Sequence, residues 1–352
     1  MKHKKRNSII ALFVLLSAGA IWLALNPPDP RFRGLPESQW ITNIAYGMSL
    51  TEAKNNEQIQ RWRDFGPEGL RVLERGLAPS RAQIYRNIYN RLAKVLPRPV
   101  LNLFPTPGPK TTGGTRACVM DLLTRMEKNA WPAWPAAARA LTDEDESVRQ
   151  IAIVFFTSPE DDKAFLNQMS PRDKKKLLPD FIRALEDKGQ NWGLRNNAAL
   201  ALKYYPEEAS RVTPALVNAL KDASPYVRVH AADALNRMDP AAGSKAGAVT
   251  VVAAELQNPD SNLSSQAALA MRQFQADADA AVTYLIEALE GTNRAVVGAS
   301  AVWSLEWAFL DHTNRTIPAL KKAAEIKDTA GSYARSAFKA LEAGRVIVKR
   351  PK

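Results

Sequence analysis

The chain has 352 residues, 46% of them apolar and 24% charged; that is enough apolar mass for two ordinary domains or one elongated repeat array, and it excludes a disordered protein. The formal net charge of +12 is not a nucleic-acid signature of the whole chain: Lys2, Lys4, Lys5 and Arg6 at one end and Arg345, Lys349, Arg350 and Lys352 at the other supply +8, leaving +4 for the body. The single cysteine, Cys118, excludes an intramolecular disulfide and any cysteine-based zinc cluster.

The opening, MKHKKRNSIIALFVLLSAGAIWLALNPPDP, places a basic tail (1–8) before seventeen residues without a charge (9–25) and a proline-rich exit. Seventeen residues at about 1.5 Å each reach the short end of a membrane span, so 9–25 is expected to be a transmembrane signal anchor, with Trp22 near the far interface. The small residues Ala18, Gly19 and Ala20 leave open a cleaved signal peptide and a secreted product, although cutting there leaves an apolar IWLAL terminus. Four cations precede the span and only Arg31 and Arg33 lie just after it, which orients a single-pass protein of the inner (cytoplasmic) membrane with its bulk on the extracytoplasmic, periplasmic side. That placement disfavours DNA, ATP and tRNA as ligands.

Residues 31–115 read as an N-terminal helical region. GLPESQW (34–40) leads into an amphipathic helix to about Leu50; GPEGLRVLERGL (66–77) and AQIYRNIYNRLAKVL (82–96) then resemble a degenerate first repeat. Pro97, Pro99, Pro105, Pro107 and Pro109 make the following loop a semi-rigid spacer or a wrap. Segment 61–116 carries eleven Lys/Arg against Asp64, Glu68 and Glu74, and the cluster Arg81, Arg86, Arg91, Lys94 and Arg98 is either a solvated helix face or a contact for an anionic polymer or lipid surface.

From 116 to 344 the sequence repeats. VTPALVNALKDASPYVRVHAADAL (212–235) aligns with segments that begin at Trp134, at Leu178, at Ala248, at Ala281 and at Thr316. The last apolar residue of each first helix falls at Leu141, Leu185, Leu220, Leu256, Leu289 and Ala324, at intervals of 44, 35, 36, 33 and 35 residues. Each copy predicts two helices around a tight turn, with small alanines where helices approach closely. In the clearest copy Ser224 is placed as N-cap, Pro225 at the first helical position and Asp222 in the turn. No such pair buries its apolar face alone, so the fold class is all-α: an α-solenoid of about six to seven helical hairpins behind one transmembrane helix, ending in a basic tail (345–352).

The first-helix prolines (TPAL, LPDF, IPAL), the turn Asp and the VR or LR opening of the second helix (SVRQIA, GLRNNA, YVRVHA) resemble HEAT repeats of the PBS-lyase-like kind. GLPESQW and its helix resemble the N-terminal region of membrane-anchored HEAT-repeat proteins of planctomycete and verrucomicrobial bacteria, a group that brings no activity with it. The resemblance implies that Arg149, Arg195 and Arg228, with Asp222, form a structural ladder of arginines against turn carbonyls and turn acids. Ser264, Val297 and Ala334 replace the arginine in the last three copies, so the ladder is expected to be incomplete toward the C-terminus.

Several chemistries are then set aside. The iron-binding branch of such repeats, as in deoxyhypusine hydroxylase, uses His-Glu pairs, and His3, His230 and His312 form none. No Gly-x-Ser-x-Gly elbow is present, and Cys118 sits on an apolar helix face as a core residue. A phycobilin lyase is not distinguished from a binding module, and the near-neutral array lacks the basic face of a DNA-binding relative. Trp131, Trp134, Trp192, Trp303 and Trp307 are expected in core packing or end capping rather than as a ligand platform. On the second helices, which the resemblance places on the concave side, three rows are read as outward: Gln150, Asn196, Val229, Ser265, Gly298, Arg335; then Ile151, Asn197, His230, Gln266, Ala299, Ser336; then Val154, Leu200, Asp233, Leu269, Val302, Lys339. Gln150, Asn196, Asn197, His230, Asp233, Gln266 and Arg335 are the candidate contacts, and their amide-rich, weakly charged character suits a protein or peptide partner. The sequence therefore predicts a non-catalytic, membrane-anchored scaffold with no cofactor, metal or small-molecule ligand; an envelope enzyme or lyase with a site in the 31–130 region is the alternative.

Overall fold

The computed structural model describes residues 29–47, 52–78, 88–91, 93–95, 97–98, 113–157, 164–291, 294–308 and 312–342. The span expected at 9–25, both basic tails, most of the Pro-rich loop and most of segment 82–96 lie outside them; no described helix is long and apolar enough to cross a membrane. The chain divides into two units, Met1–Phe155 and Phe156–Lys352.

The first unit opens on a two-residue hairpin, β1 (Arg31–Phe32) antiparallel to β2 (Leu35–Pro36). Its turn needs two left-handed residues, supplied by Arg33 at φ 48° and Gly34 at φ 85°. Helices α1 (Glu37–Gly47), α2 (Glu52–Asp64), α3 (Gly66–Gly76) and α4 (Gly114–Arg125) follow, then a 3₁₀ segment (Glu127–Ala133), α5 (Trp134–Ala140) and α6 (Glu146–Phe156). Phe32, Trp40, Trp62 and Phe65 form one edge-to-face and stacked cluster with centroids 5.1–6.4 Å apart, and Trp40 Nε1 donates to the Phe32 carbonyl at 2.8 Å. That cluster explains why GLPESQW precedes a helix: Trp40, on the first turn of α1, is its anchor. Arg75 donates to both Glu37 oxygens, at 2.8 and 2.5 Å, and so ties α3 to α1. Both of those helices pack on α4.

The second unit begins with a short α7 (Phe165–Gln168) and then stacks five hairpins among the described residues: α8 (Pro171–Glu186) with α9 (Trp192–Leu202); α10 (Ala209–Ala219) with α11 (Pro225–Met238); α12 (Pro240–Lys245) and α13 (Ala248–Ala253) with α14 (Ser261–Ala270); α15 (Ala278–Glu290) with α16 (Arg294–Ala308); α17 (Thr313–Ala324) with α18 (Thr329–Glu342). First helices contact first helices along one layer, and α9, α11, α14, α16 and α18 contact in succession along the other. The buried alanines of the second helices, such as Ala198, Ala231, Ala267, Ala301 and Ala334, let these axes approach, as the repeat pattern requires.

Local chemistry sets the boundaries. Asn191 caps α9 by accepting from the Gly193 N–H at 2.5 Å, and Asp260 caps α14 by accepting from Asn262 and Leu263. Ser224 occupies the cap position of α11 without a side-chain cap bond; Asp222 instead accepts from the Ser224 N–H at 2.9 Å. The third hairpin departs from the expected single first helix, because Gly247 at φ 69° breaks it into α12 and α13.

Candidate interaction face and its ladder

The second helices carry two sets of polar side chains, one turned into the turns and one left on the surface. In the inward set, Arg195 sits on the first turn of α9 and donates from Nε and Nη2 to the two oxygens of Asp222, each at 2.9 Å, while Nη1 caps the Gln190 carbonyl. Burial alone pushes the Asp222 carboxyl up; the hydrogen bonds from Arg195, Lys188 and the Ser224 N–H outweigh it and hold the group well below the usual carboxylate range. Arg228 repeats the pattern one hairpin on, with Nη1 on the Asp222 carbonyl at 2.9 Å and Nη2 on Glu255. Arg149, in the first unit, donates to the Asp143 carbonyl at 2.6 Å.

Two members of this set are ones the arginine slot does not announce. Arg116, at the third position of α4, grips both oxygens of Asp143 at 2.9 and 2.8 Å, with both side chains 7% exposed. In the fourth of the five hairpins of the second unit the expected gap is filled from another position, while Ser264 in the third has no arginine in its place. Arg294, three residues before Val297, donates to Asp328 at 2.8 and 3.3 Å and to the Leu289 and Ala323 carbonyls. Val297 itself is buried apolar core, so the guanidinium reaches the same kind of turn from the first residue of α16 rather than the fourth. The TRA opening of α4 and the acid in DTAGS are the signals that would have found them.

On the surface, Asn197, His230, Gln266 and Ala299 are half-buried and Ser336 is exposed, so the second of the three rows does lie at the surface. The other two rows are mixed. Asn196, Ser265, Leu200 and Leu269 are half-buried and Arg335 and Lys339 exposed, but Val229, Gly298, Asp233 and Val302 are buried. The correction has a packing cause: α11 and α16 each have a second helix on both sides and a first helix behind, which covers more of their circumference than a two-helix hairpin does. Gln150 is half-buried in the first unit.

The exposed aromatic residues also depart from expectation. Trp192 is 49% exposed and stacks on Tyr226 (centroids 5.1 Å, 23° between planes); Trp303 is 43% exposed under the Arg272 guanidinium at 4.4 Å. Neither is core. Trp131 and Trp134 are half-buried in the first unit, and the Trp307 side chain lies outside the described residues.

Polar side chains near them form two separate hydrogen-bonded sets, one between α11 and α14 and one between α9 and α11. The Tyr226 hydroxyl donates to Asp260 at 2.7 Å, Asn262 donates to that hydroxyl at 3.4 Å, and Gln266 donates to Asn262 at 3.1 Å. His230 Nδ1 lies 2.5 Å from Asn196 Oδ1, and since an amide oxygen only accepts, Nδ1 carries the proton. Burial pushes the His230 pKa down to about 4, so the ring is neutral at pH 7. The Gln266 Oε1 atom is buried without a donor. A base that weak, held by an amide, contributes little to proton transfer at neutral pH. Burial and then the Asp121 charge raise the Cys118 thiol, which disfavours the thiolate. Among the described residues no group of three or more His, Cys, Asp or Glu is placed to hold a metal ion. What the face offers is hydrogen-bonding amides and hydroxyls beside an aromatic platform.

Stacked helical hairpins tied by an arginine ladder define an all-α repeat protein. Residues 213–306 match the family of HEAT repeats, a segment running from α10 into α16. Among solved structures, one engineered protein is 18% identical, with 87% of this chain and 88% of that one covered at a TM-score of 0.48; a second engineered protein is 18% identical, with 73% and 98% covered at 0.37. The Escherichia coli protein YibA is 14% identical, with 73% of this chain and 96% of that one covered at a TM-score of 0.40. No curated protein matches the chain.

Proposed function

We propose that the chain is a membrane-anchored scaffold that holds a protein partner on the second-helix face of its repeats and performs no chemistry of its own. The observation that carries this is the exposed Trp192 ring stacked on Tyr226, beside the hydrogen-bonded amides Asn262 and Gln266. Exposed tryptophan flanked by amides and hydroxyls of low charge is the composition of a protein-binding patch, not of a phosphate or metal site. His230 adds no charge at neutral pH, and Asp233 is paired with Arg237 at 3.2 Å. The uncharged stretch 9–25 after Lys2, Lys4, Lys5 and Arg6 supports an inner-membrane anchor with the repeats on the periplasmic side.

A photoreactive residue placed at Gln266, and separately at the exposed Arg183 on the first-helix layer, tests the face in intact cells. One protein crosslinked from position 266 and not from 183 is expected; the same products from both positions overturn the assignment. A reporter fused after Lys352 tests sidedness, and cytoplasmic activity of the reporter sinks the topology.

A further inference from the structure

The hairpin that opens the first unit carries a charge pattern that neither the ladder nor the second-helix face uses. Arg31, Arg33 and Arg61 are exposed, and among the described residues none of the three pairs with a carboxylate. The acids close to them in sequence are taken up elsewhere: Asp29 accepts from the Ser38 hydroxyl at 2.5 Å, Glu37 holds Arg75, and Asp64 accepts from Gln60 at 2.9 Å.

Aromatic rings, not acids, place these arginines. The Arg33 guanidinium lies 4.9 Å from the Phe65 ring centroid and 5.7 Å from that of Phe32. The Arg61 guanidinium lies 4.7 Å from the Trp40 centroid and 5.7 Å from that of the same Phe65 ring. Two cations thus share one ring, and like charges so gathered repel unless an anion joins them. Arg31 stands on the same hairpin, where its Nη1 donates to the Gly34 carbonyl across the turn at 3.5 Å. Leu35 is 38% exposed although its cross-strand partner Phe32 is buried. Cations beside an exposed apolar side chain are the composition of a contact with an anionic membrane interface.

Chain length supplies the second argument, which rests on the anchor reading of 9–25. Only residues 26–30 separate that stretch from Arg31. At no more than about 3.6 Å per residue the connection reaches about 20 Å, and the headgroup layer takes up about 5–7 Å of it. Arg31 is therefore confined to within about 15 Å of the headgroups, whose field extends over a Debye length of about 8–10 Å.

We propose that this hairpin surface docks on anionic lipid headgroups of the membrane that the chain leaves. Arg31, Arg33 and Arg61 pair with headgroup phosphates, Leu35 enters the boundary beside them, and the aromatic cluster holds the three charges in place. The contact fixes the first unit against the bilayer.

The test uses the full-length chain with a fluorophore at Gln39→Cys, in a Cys118→Ala background. It is reconstituted in vesicles of phosphatidylcholine, with or without phosphatidylglycerol, that contain a headgroup-nitroxide lipid. Quenching is expected to be stronger with phosphatidylglycerol and to fall to the phosphatidylcholine level at about 1 M salt, where the Debye length is about 3 Å. Arg31→Gln, Arg33→Gln and Arg61→Gln should each lower the docked-to-free ratio about fivefold, whereas Arg33→Lys keeps the charge and most of the docking. Arg33 and Arg61 also cover aromatic rings, so every variant is melted beside the parent; R31Q decides alone if the other two unfold early. An alkaline carbonate wash of the same vesicles reads the anchor. Protein that washes off sinks the anchor reading and this contact with it. Protein that stays, with quenching indifferent to lipid charge, to salt or to R31Q, overturns the docking alone and leaves the anchor standing.

Discussion

Arg195 and Asp222 meet as a two-point pair 27 residues apart, and the same separation recurs in Arg116–Asp143 and Arg228–Glu255. The spacing is that of one second-helix start to the next hairpin's turn, so each pair fastens neighbouring hairpins rather than one hairpin to itself. In the Arg195 pair the Asp222 side chain is fully buried and Arg195 is 8% exposed. Asp222→Ala leaves a buried guanidinium unpaired and is expected to cost about 3–5 kcal/mol. Arg228 is 25% exposed, so Arg228→Met should cost less than about 2 kcal/mol. Urea midpoints of the two variants check the ranking; equal midpoints would show that the pairs do not fasten the stack.

Acid should loosen the ladder. Asp222, Asp260 and Asp328 all have lowered pKa values, the last two chiefly through hydrogen bonds from Tyr226 and Arg294. A carboxyl depressed in the folded state contributes stability that is present above its unfolded pKa of about 3.9 and is lost as pH falls below that value. Melting temperature is therefore expected to drop below about pH 4, with a smaller drop in Asp222→Asn, which starts lower and has one fewer carboxylate to protonate. Parallel acid slopes for parent and variant would remove Asp222 from the explanation.

His230 acts in a different window. Its folded pKa of about 4 lies below the free value of about 6.5, so between these pH values the unfolded chain binds the proton and the folded chain does not. Stability falls as pH falls through that interval, by up to about 1.4 kcal/mol per unit. His230→Gln is expected to lose about 2 kcal/mol less than the parent between pH 7 and pH 5. An identical loss in both proteins places the imidazole in water rather than against Asn196.

The repeat boundaries were legible because they rest on local chemistry: Pro225 at a helix start, an acid in the turn and alanines at a fixed interval are all written in one short stretch. What was not legible depends on neighbours. Asp233 and Val229 sit at positions that face outward on an isolated hairpin, and only the flanking second helices bury them. Arg294 escapes alignment because it uses a different helical position to reach the same turn. Trp192 reads as core by residue type, yet its place at the first position of α9 leaves it beyond the packed part of the layer, on Tyr226.

Gly298 in α16 tests how closely two second helices approach. A Cβ at that position would lie 2.5 Å from the Cβ of Ala330 in α18. Gly298→Ala gains about 1 kcal/mol of helix propensity but overpacks a contact at about 1–3 kcal/mol, so net destabilisation of up to about 2 kcal/mol is expected. Ala330→Gly should recover part of the loss in the double variant, which separates the clash from any local effect on α16. A G298A protein that melts at or above the parent temperature would show that the two helices part without cost.

Trp192→Ala separates binding from folding. The ring is 49% exposed and its packing is the single stack on Tyr226 together with the edge of α9, so removal should cost about 1–2 kcal/mol and leave the helical content unchanged. Partner capture should fall far more, because an exposed tryptophan at the centre of an interface typically carries more than about 2 kcal/mol of binding, roughly thirtyfold in affinity. Tyr226→Phe removes the hydroxyl that joins Asp260 and Asn262 but keeps the stack. A smaller loss in Tyr226→Phe than in Trp192→Ala, measured as crosslink yield from position 266, identifies the aromatic platform as the anchor. The opposite order transfers that role to the amide and hydroxyl network, and undiminished yield in both variants moves the partner off this face.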